Sequence, residues 1–98
     1  MDIEWDLQKA LTNLKKHDLC FDDAVHVLNS PTVSFEDTRS EYNEVRYITL
    51  GQLEGRVVIV VHTPRNGRTR IISMRKANER EKKIYYERLK EAGCNERQ

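Results

Sequence analysis

The chain has 98 residues and a formal net charge of +1, enough for one modest core and too short for a second independent domain. It is 38% hydrophobic and 34% charged, yet the near-neutral balance and the periodic grouping of its apolar residues exclude a disordered chain. The longest apolar run, Val57 to Val61, falls far short of the ~20 residues that span a bilayer, and the acidic start lacks a leader-type apolar stretch, so a cytoplasmic protein is expected.

In chain order, Ile3–Trp5 reads as a short strand and Asp6 as the N-cap of a helix running to about His17. Leu7, Ala10, Leu11 and Leu14 fall at i, i+3, i+4 and i+7, an apolar stripe expected to face the core. Lys9, Asn13 and Lys16 fall off it. Phe21, Ala24, Val25 and Leu28 repeat the spacing in a second short helix, ended by Pro31. Val33–Phe35 is a weak strand and Glu36–Glu44 a polar loop. Val45–Leu50 is a strand, Gly51–Gly55 a turn, and Arg56–Thr63 a strand whose β-branched run predicts a central position buried on both faces.

Pro64-Arg65-Asn66-Gly67 is a hairpin turn and Thr69–Met74 the returning strand. Asn78 with Glu81 resembles a capping box. The helix it opens carries Ile84, Tyr85, Leu89 and Ala92 on one face, with Tyr85 in the core, and ends at Gly93. Residues 94–98 are expected to fray, carrying a free Cys94, whereas Cys20 is expected to be buried. The architecture expected is α+β: a short N-terminal strand, two helices, an antiparallel sheet of three or four strands and a C-terminal helix, all in one domain over 1–98.

The small net charge hides a division. Up to Gly55 there are five Lys and Arg against eleven Asp and Glu, and from Arg56 to Lys90 eleven against three. A basic half rich in arginine points to a polyanion or an acidic partner. Ion pairs within the last helix, Glu79 with Lys83 and Glu87 with Lys90, account for part of it. The arginines before Lys76 have no acid in their own stretch of chain.

Ile3-Glu4-Trp5-Asp6 with Lys9, Asn13, Lys16-His17, Phe21 and Ala24 resembles the opening of the BrnT family. Gly55-Arg56-Val57-Val58, Val61-His62-Thr63, Arg70-Ile71-Ile72-Ser73-Met74-Arg75-Lys76-Ala77 and Glu81 with Tyr85 resemble its second half. Asp18 stands where that family usually has glycine and Met74 where it usually has alanine. Asp tolerates the left-handed backbone better than most residues.

The resemblance implies a RelE-like fold and a ribonuclease toxin of a type II toxin–antitoxin system that halts translation. It also implies a BrnA-type antitoxin with a ribbon-helix-helix domain. Operator DNA is then met only through the antitoxin, in an autorepressing complex of two toxins and two antitoxins. A non-catalytic nucleic-acid-binding module or co-repressor is the alternative, and a structural partner for an acidic protein segment is a third reading.

His17, His26 and His62 form no cluster at metal-ligand spacing, so no metal site and no cofactor are expected. The chemistry open to such a chain is attack of the ribose 2′-hydroxyl on the adjacent phosphate, which needs a base, an acid and cations. His62 is the first acid/base candidate, at the end of the central strand, and His17 the second. The proposed catalytic set is His62, Arg65, Ser73 and Arg75. The RNA-contacting set is Lys9, Lys16, Arg70, Lys76 and Arg80. Arg75 and Lys76 lie where the last strand meets a helix N-terminus, which favours anions. Trp5 and Tyr47 are candidates for stacking on bases, with core packing the ordinary role for Trp5. A two-residue Asn66-Gly67 turn sets Arg65 against Arg68 and His62 against Ile71, with Ser73 and Arg75 on the His62 side; a five-residue loop sets His62 against Arg70 instead.

Overall fold

In a computed structural model, residues 2–38 and 43–93 are described. The elements are β1 (Ile3–Trp5), α1 (Leu7–His17), a 3-10 turn (Phe21–Asp23), α2 (Ala24–Asn29), β2 (Val33–Glu36), β3 (Tyr47–Leu53), β4 (Arg56–Arg65), β5 (Arg68–Lys76) and α3 (Glu79–Glu91). The fold is α+β, as expected, but the sheet has five strands in the order β1-β5-β4-β3-β2. Three neighbouring pairs are antiparallel, and β1 joins β5 in parallel, making the sheet mixed.

The β-branched run of β4 takes the centre because both its faces are covered. Val58 and Val60 pack with Phe21, Ala24, Val27, Ile71 and Met74 beneath α1 and α2. Val57 and Ile59 pack with Leu50, Tyr85 and Leu89 beneath α3. The Tyr85 hydroxyl donates to the Pro31 carbonyl, which satisfies its polar end inside this second core. Trp5 meets Phe21 edge-to-face at 6.2 Å, a core contact.

The caps follow the sequence. The Asp6 side chain accepts from the Lys9 N–H, and Asp18 closes α1 in the left-handed region at φ 58°. Asn78 and Glu81 make the reciprocal capping box of α3. The Asn66-Gly67 turn sets Arg65 opposite Arg68 and His62 opposite Ile71, with φ 53° at Asn66 and 78° at Gly67. Gly51 is needed for close approach. A Cβ there would lie 2.5 Å from the Val27 carbonyl oxygen of α2.

Several expectations fail for physical reasons. Leu7, Leu11 and Leu14 face solvent, and the buried residue of α1 is Asn13. Cys20 is exposed; Cys94 and the expected fraying at 94–98 lie outside the described residues, as does part of the Glu36–Glu44 loop. The strands also run longer than expected: β3 continues through Gly51, and Pro64 lies within β4.

Candidate functional site

The decisive local feature is a bulge in β5. Val61 pairs with Ser73, but His62 pairs with Ile71, leaving Ile72 as an extra residue. Without it, alternation would place Ser73 and Arg75 beside His62. With it they point to the opposite face, and the expectation that they share the His62 side is corrected. Side-chain contacts agree: His62 bonds Thr49 on the α2 side, while Arg75 bonds Glu81 of α3.

β1 ends at Trp5, opposite Ile71, so among the described residues the edge of β5 beyond Ile71 has no strand partner. Backbone N–H groups there need another acceptor. Asn13 supplies it. Its Oδ1 accepts the Met74 N–H at 3.1 Å, and its Nδ2 donates to the Leu19 carbonyl at 3.5 Å. That polar anchor explains why α1 buries an asparagine and turns its leucines outward.

Between α1 and this edge runs a cleft of about 270 Å³ lined by Gln8, Lys9, Thr12, Asn13, Lys16, His17, Ile72 and Ser73. It brings together Lys9, Lys16 and Ser73 from the proposed sets and adds His17. Among the described residues no carboxylate lines it. Gln8, Thr12 and Asn13 were not singled out as site residues; their shared helix face with Lys9 and Lys16 was the available signal.

The other proposed residues are dispersed. Arg75 gives both terminal nitrogens to Glu81, at 2.9 and 2.7 Å. The same carboxylate receives the Asn78 N–H, so the ion pair fastens the end of β5 to the start of α3. Arg75 foremost, against a smaller opposing effect of burial, holds the Glu81 carboxyl below its ordinary range. Arg70 Nε donates to Glu4 at 3.1 Å, and Arg68 lies 3.9 Å from that carboxylate. The arginine stretch therefore finds its acids in space, on β1 and α3. Arg65 is exposed beside the hairpin turn and Arg80 is exposed on α3. Lys76 lines a second cleft of about 330 Å³ with Arg56, Lys82 and Tyr86.

His62 sits in a separate chain of hydrogen bonds. Its Nε2 lies 2.7 Å from Thr49 Oγ1, which lies 2.6 Å from Ser34 Oγ. The Tyr47 ring centroid is 5.8 Å from the imidazole. Burial lowers the His62 pKa, favouring the neutral ring. Among the described residues no group of three or more His, Cys, Asp and Glu side chains could hold a metal ion, and no helix is long and apolar enough to cross a membrane.

Comparison with known families decides the class of this molecule. The family described as "Ribonuclease toxin, BrnT, of type II toxin-antitoxin system" matches residues 5–81. The chain belongs to the BrnT family. The match begins at Trp5 and ends at Glu81, so it spans α1, all but the first strand of the sheet in full, the bulge and the Arg75–Glu81 ion pair. BrnT proteins are ribonuclease toxins paired with an antitoxin, so RNA is the substrate class and an antitoxin the protein partner. No curated protein matches the chain.

Proposed function

We propose that this BrnT chain cleaves RNA without a metal ion at the cleft between α1 and the edge of β5. The observation that carries this reading is the convergence of Lys9, Lys16 and His17 on one cleft walled by Ile72 and Ser73, with no carboxylate in its lining among the described residues. A phosphodiester and the pentavalent phosphorane formed from it are anionic, and the two lysines offset that charge. His17 is the proton-transfer group. Ile72 and Ser73 of β5 form the opposite wall of the cleft. The ribose 2′-oxygen bonds to phosphorus as the bond to the 5′-oxygen breaks. The proton lost from the 2′-hydroxyl is balanced by one delivered to the leaving 5′-oxygen. The products are a 2′,3′-cyclic phosphate and a 5′-hydroxyl end.

Arg75 acts in this reading as a positioning residue, holding the strand that carries Ser73 against α3. Arg70, Lys76 and Arg80 supply longer-range attraction for the RNA backbone, as does Arg65. Cleavage in the cytoplasm arrests translation. The partner is a BrnA-type antitoxin with a ribbon-helix-helix domain, which joins two toxins in a heterotetramer and represses the operon on its DNA.

A second reading places the base at His62. Its favouring observation is the short contact to Thr49 in a setting that keeps the imidazole neutral. The test is incubation with end-labelled RNA in EDTA, beside the same oligonucleotide with 2′-deoxy residues. Cleavage of the ribose strand alone, leaving cyclic phosphate ends, supports the mechanism. Cleavage of both strands, or cleavage only after a divalent ion is restored, overturns it. Salt-sensitive binding without cleavage, with and without ribosomes, favours the non-catalytic module.

A further inference from the structure

The outward face of α1 carries three leucines that the fold does not use. Leu7, Leu11 and Leu14 are 68%, 52% and 40% exposed. Single exposed leucines are ordinary, but these stand at i, i+4 and i+7, the spacing by which a helix presents one continuous stripe to a partner. The stripe cannot turn inward, because Asn13 is pinned to the Met74 N–H and fixes the rotation of the helix.

Charge narrows the occupant. The sequence from Leu7 to His17 contains Lys9, Lys15, Lys16 and His17 and no carboxylate. Lys15 lies one turn on from Leu11, at the border of the stripe. A second copy docking through the same face would set two Lys15-bordered stripes against each other with no acid on either helix. A partner segment with apolar anchors and a flanking carboxylate meets both the leucines and Lys15. Family membership supplies such a partner class, since a type II toxin is held by a protein antitoxin.

We infer that the Leu7–Leu11–Leu14 stripe of α1 is the docking surface for an amphipathic, acidic segment of the antitoxin. This rests on the toxin reading above. Lys9 and Lys16 each follow a stripe leucine by two residues, about 200° around the helix. The antitoxin therefore grips α1 on the flank away from the cleft, and the stripe can be altered without touching the residues assigned to RNA.

The test uses the full chain with Leu7, Leu11 and Leu14 all replaced by glutamine, which keeps good helix formers at solvent-facing positions, and a second variant, Leu11→Met. The probe is the BrnA-type antitoxin proposed above as the partner. Circular dichroism confirms that each variant is folded. The expected result is that the triple variant still arrests growth and cuts RNA, is no longer neutralised by the antitoxin, and binds it on the order of 100-fold more weakly. Leu11→Met stays neutralised. Equal neutralisation of triple variant and wild type overturns the docking surface, as does failure of the antitoxin to bind the wild type. So does a wild-type homodimer that dissociates in the triple variant while antitoxin binding is unchanged. A wild type that neither arrests growth nor cuts RNA, yet binds the antitoxin through these leucines, overturns the toxin reading and leaves the surface standing.

Discussion

Asn13 and Met74 are sixty-one residues apart and joined by one buried hydrogen bond, from the Met74 N–H to Asn13 Oδ1 at 3.1 Å. This bond seats α1 on the strandless edge of β5 and so builds the cleft. It also sets which faces of α1 look into the cleft, into the sheet and into solvent. Replacing Asn13 by alanine leaves a buried N–H without its acceptor, at a cost of about 1–3 kcal/mol. Urea denaturation should show that loss, and RNA affinity should fall with it because Lys9 and Lys16 lose their placement.

Gly51→Ala should destabilise the fold at a position far from the cleft. The added methyl group would meet both the Val27 carbonyl and the Ser30 hydroxyl, which already accepts the Gln52 N–H at 2.8 Å. Overpacking of this kind costs about 1–3 kcal/mol. Thermal unfolding should register the loss while cleavage at a temperature where the variant stays folded is unchanged.

The Arg75–Glu81 pair makes a prediction for acid. Arg75 lowers the Glu81 carboxyl pKa in the folded state. Glu81 therefore adds stability that is fully present above the unfolded carboxylate value and is lost as pH falls through the depressed folded value. Arg75 is 44% exposed at its side chain, so solvent screens the pair, and its contribution stays at or below about 1 kcal/mol. Glu81→Gln should flatten the acid limb of a stability–pH curve below about pH 4.5.

His62 predicts a slope in a different window. Burial lowers its folded pKa, so the unfolded chain takes up a proton first as pH falls below the ordinary value of about 6.5. The stability present above that value is lost as pH falls toward the folded value. Urea midpoints measured between pH 7.5 and 5 should decline for wild type and decline less for His62→Gln. An equal decline in both contradicts the assignment.

Much of the frame was legible in the chain. The β-branched run of Val57–Val61 announced the central strand, the two-residue Asn66-Gly67 turn offered, as one of two registers, the one found through His62, and Asn78 with Glu81 marked the start of α3. Three features were not legible, each because a tertiary contact overrides a local pattern. Periodicity put Leu7, Leu11 and Leu14 inside, but Asn13 wins the buried position by satisfying the edge of β5. Alternation put Ser73 beside His62, but a one-residue bulge in an unbroken strand sequence leaves no compositional mark. Charge counted along the chain left the arginines without acids, whereas Glu4 and Glu81 reach them from distant elements. The candidate site was therefore half visible: Lys9, Lys16 and Ser73 meet, and His62 and Arg75 stand on opposite faces.

The central claim is that the α1–β5 cleft is where RNA is cut. The measurement that tests it most directly is the single-turnover cleavage rate of end-labelled RNA in EDTA for wild type, His17→Gln, Lys16→Gln and His62→Gln, each confirmed as folded. The account predicts a loss of about 10²–10⁴-fold for His17→Gln. It predicts weaker binding with a shallower salt dependence for Lys16→Gln, and a rate close to wild type for His62→Gln. Full activity in His17→Gln and Lys16→Gln, with activity lost in His62→Gln, would contradict it and move the chemistry to the Thr49–His62 face.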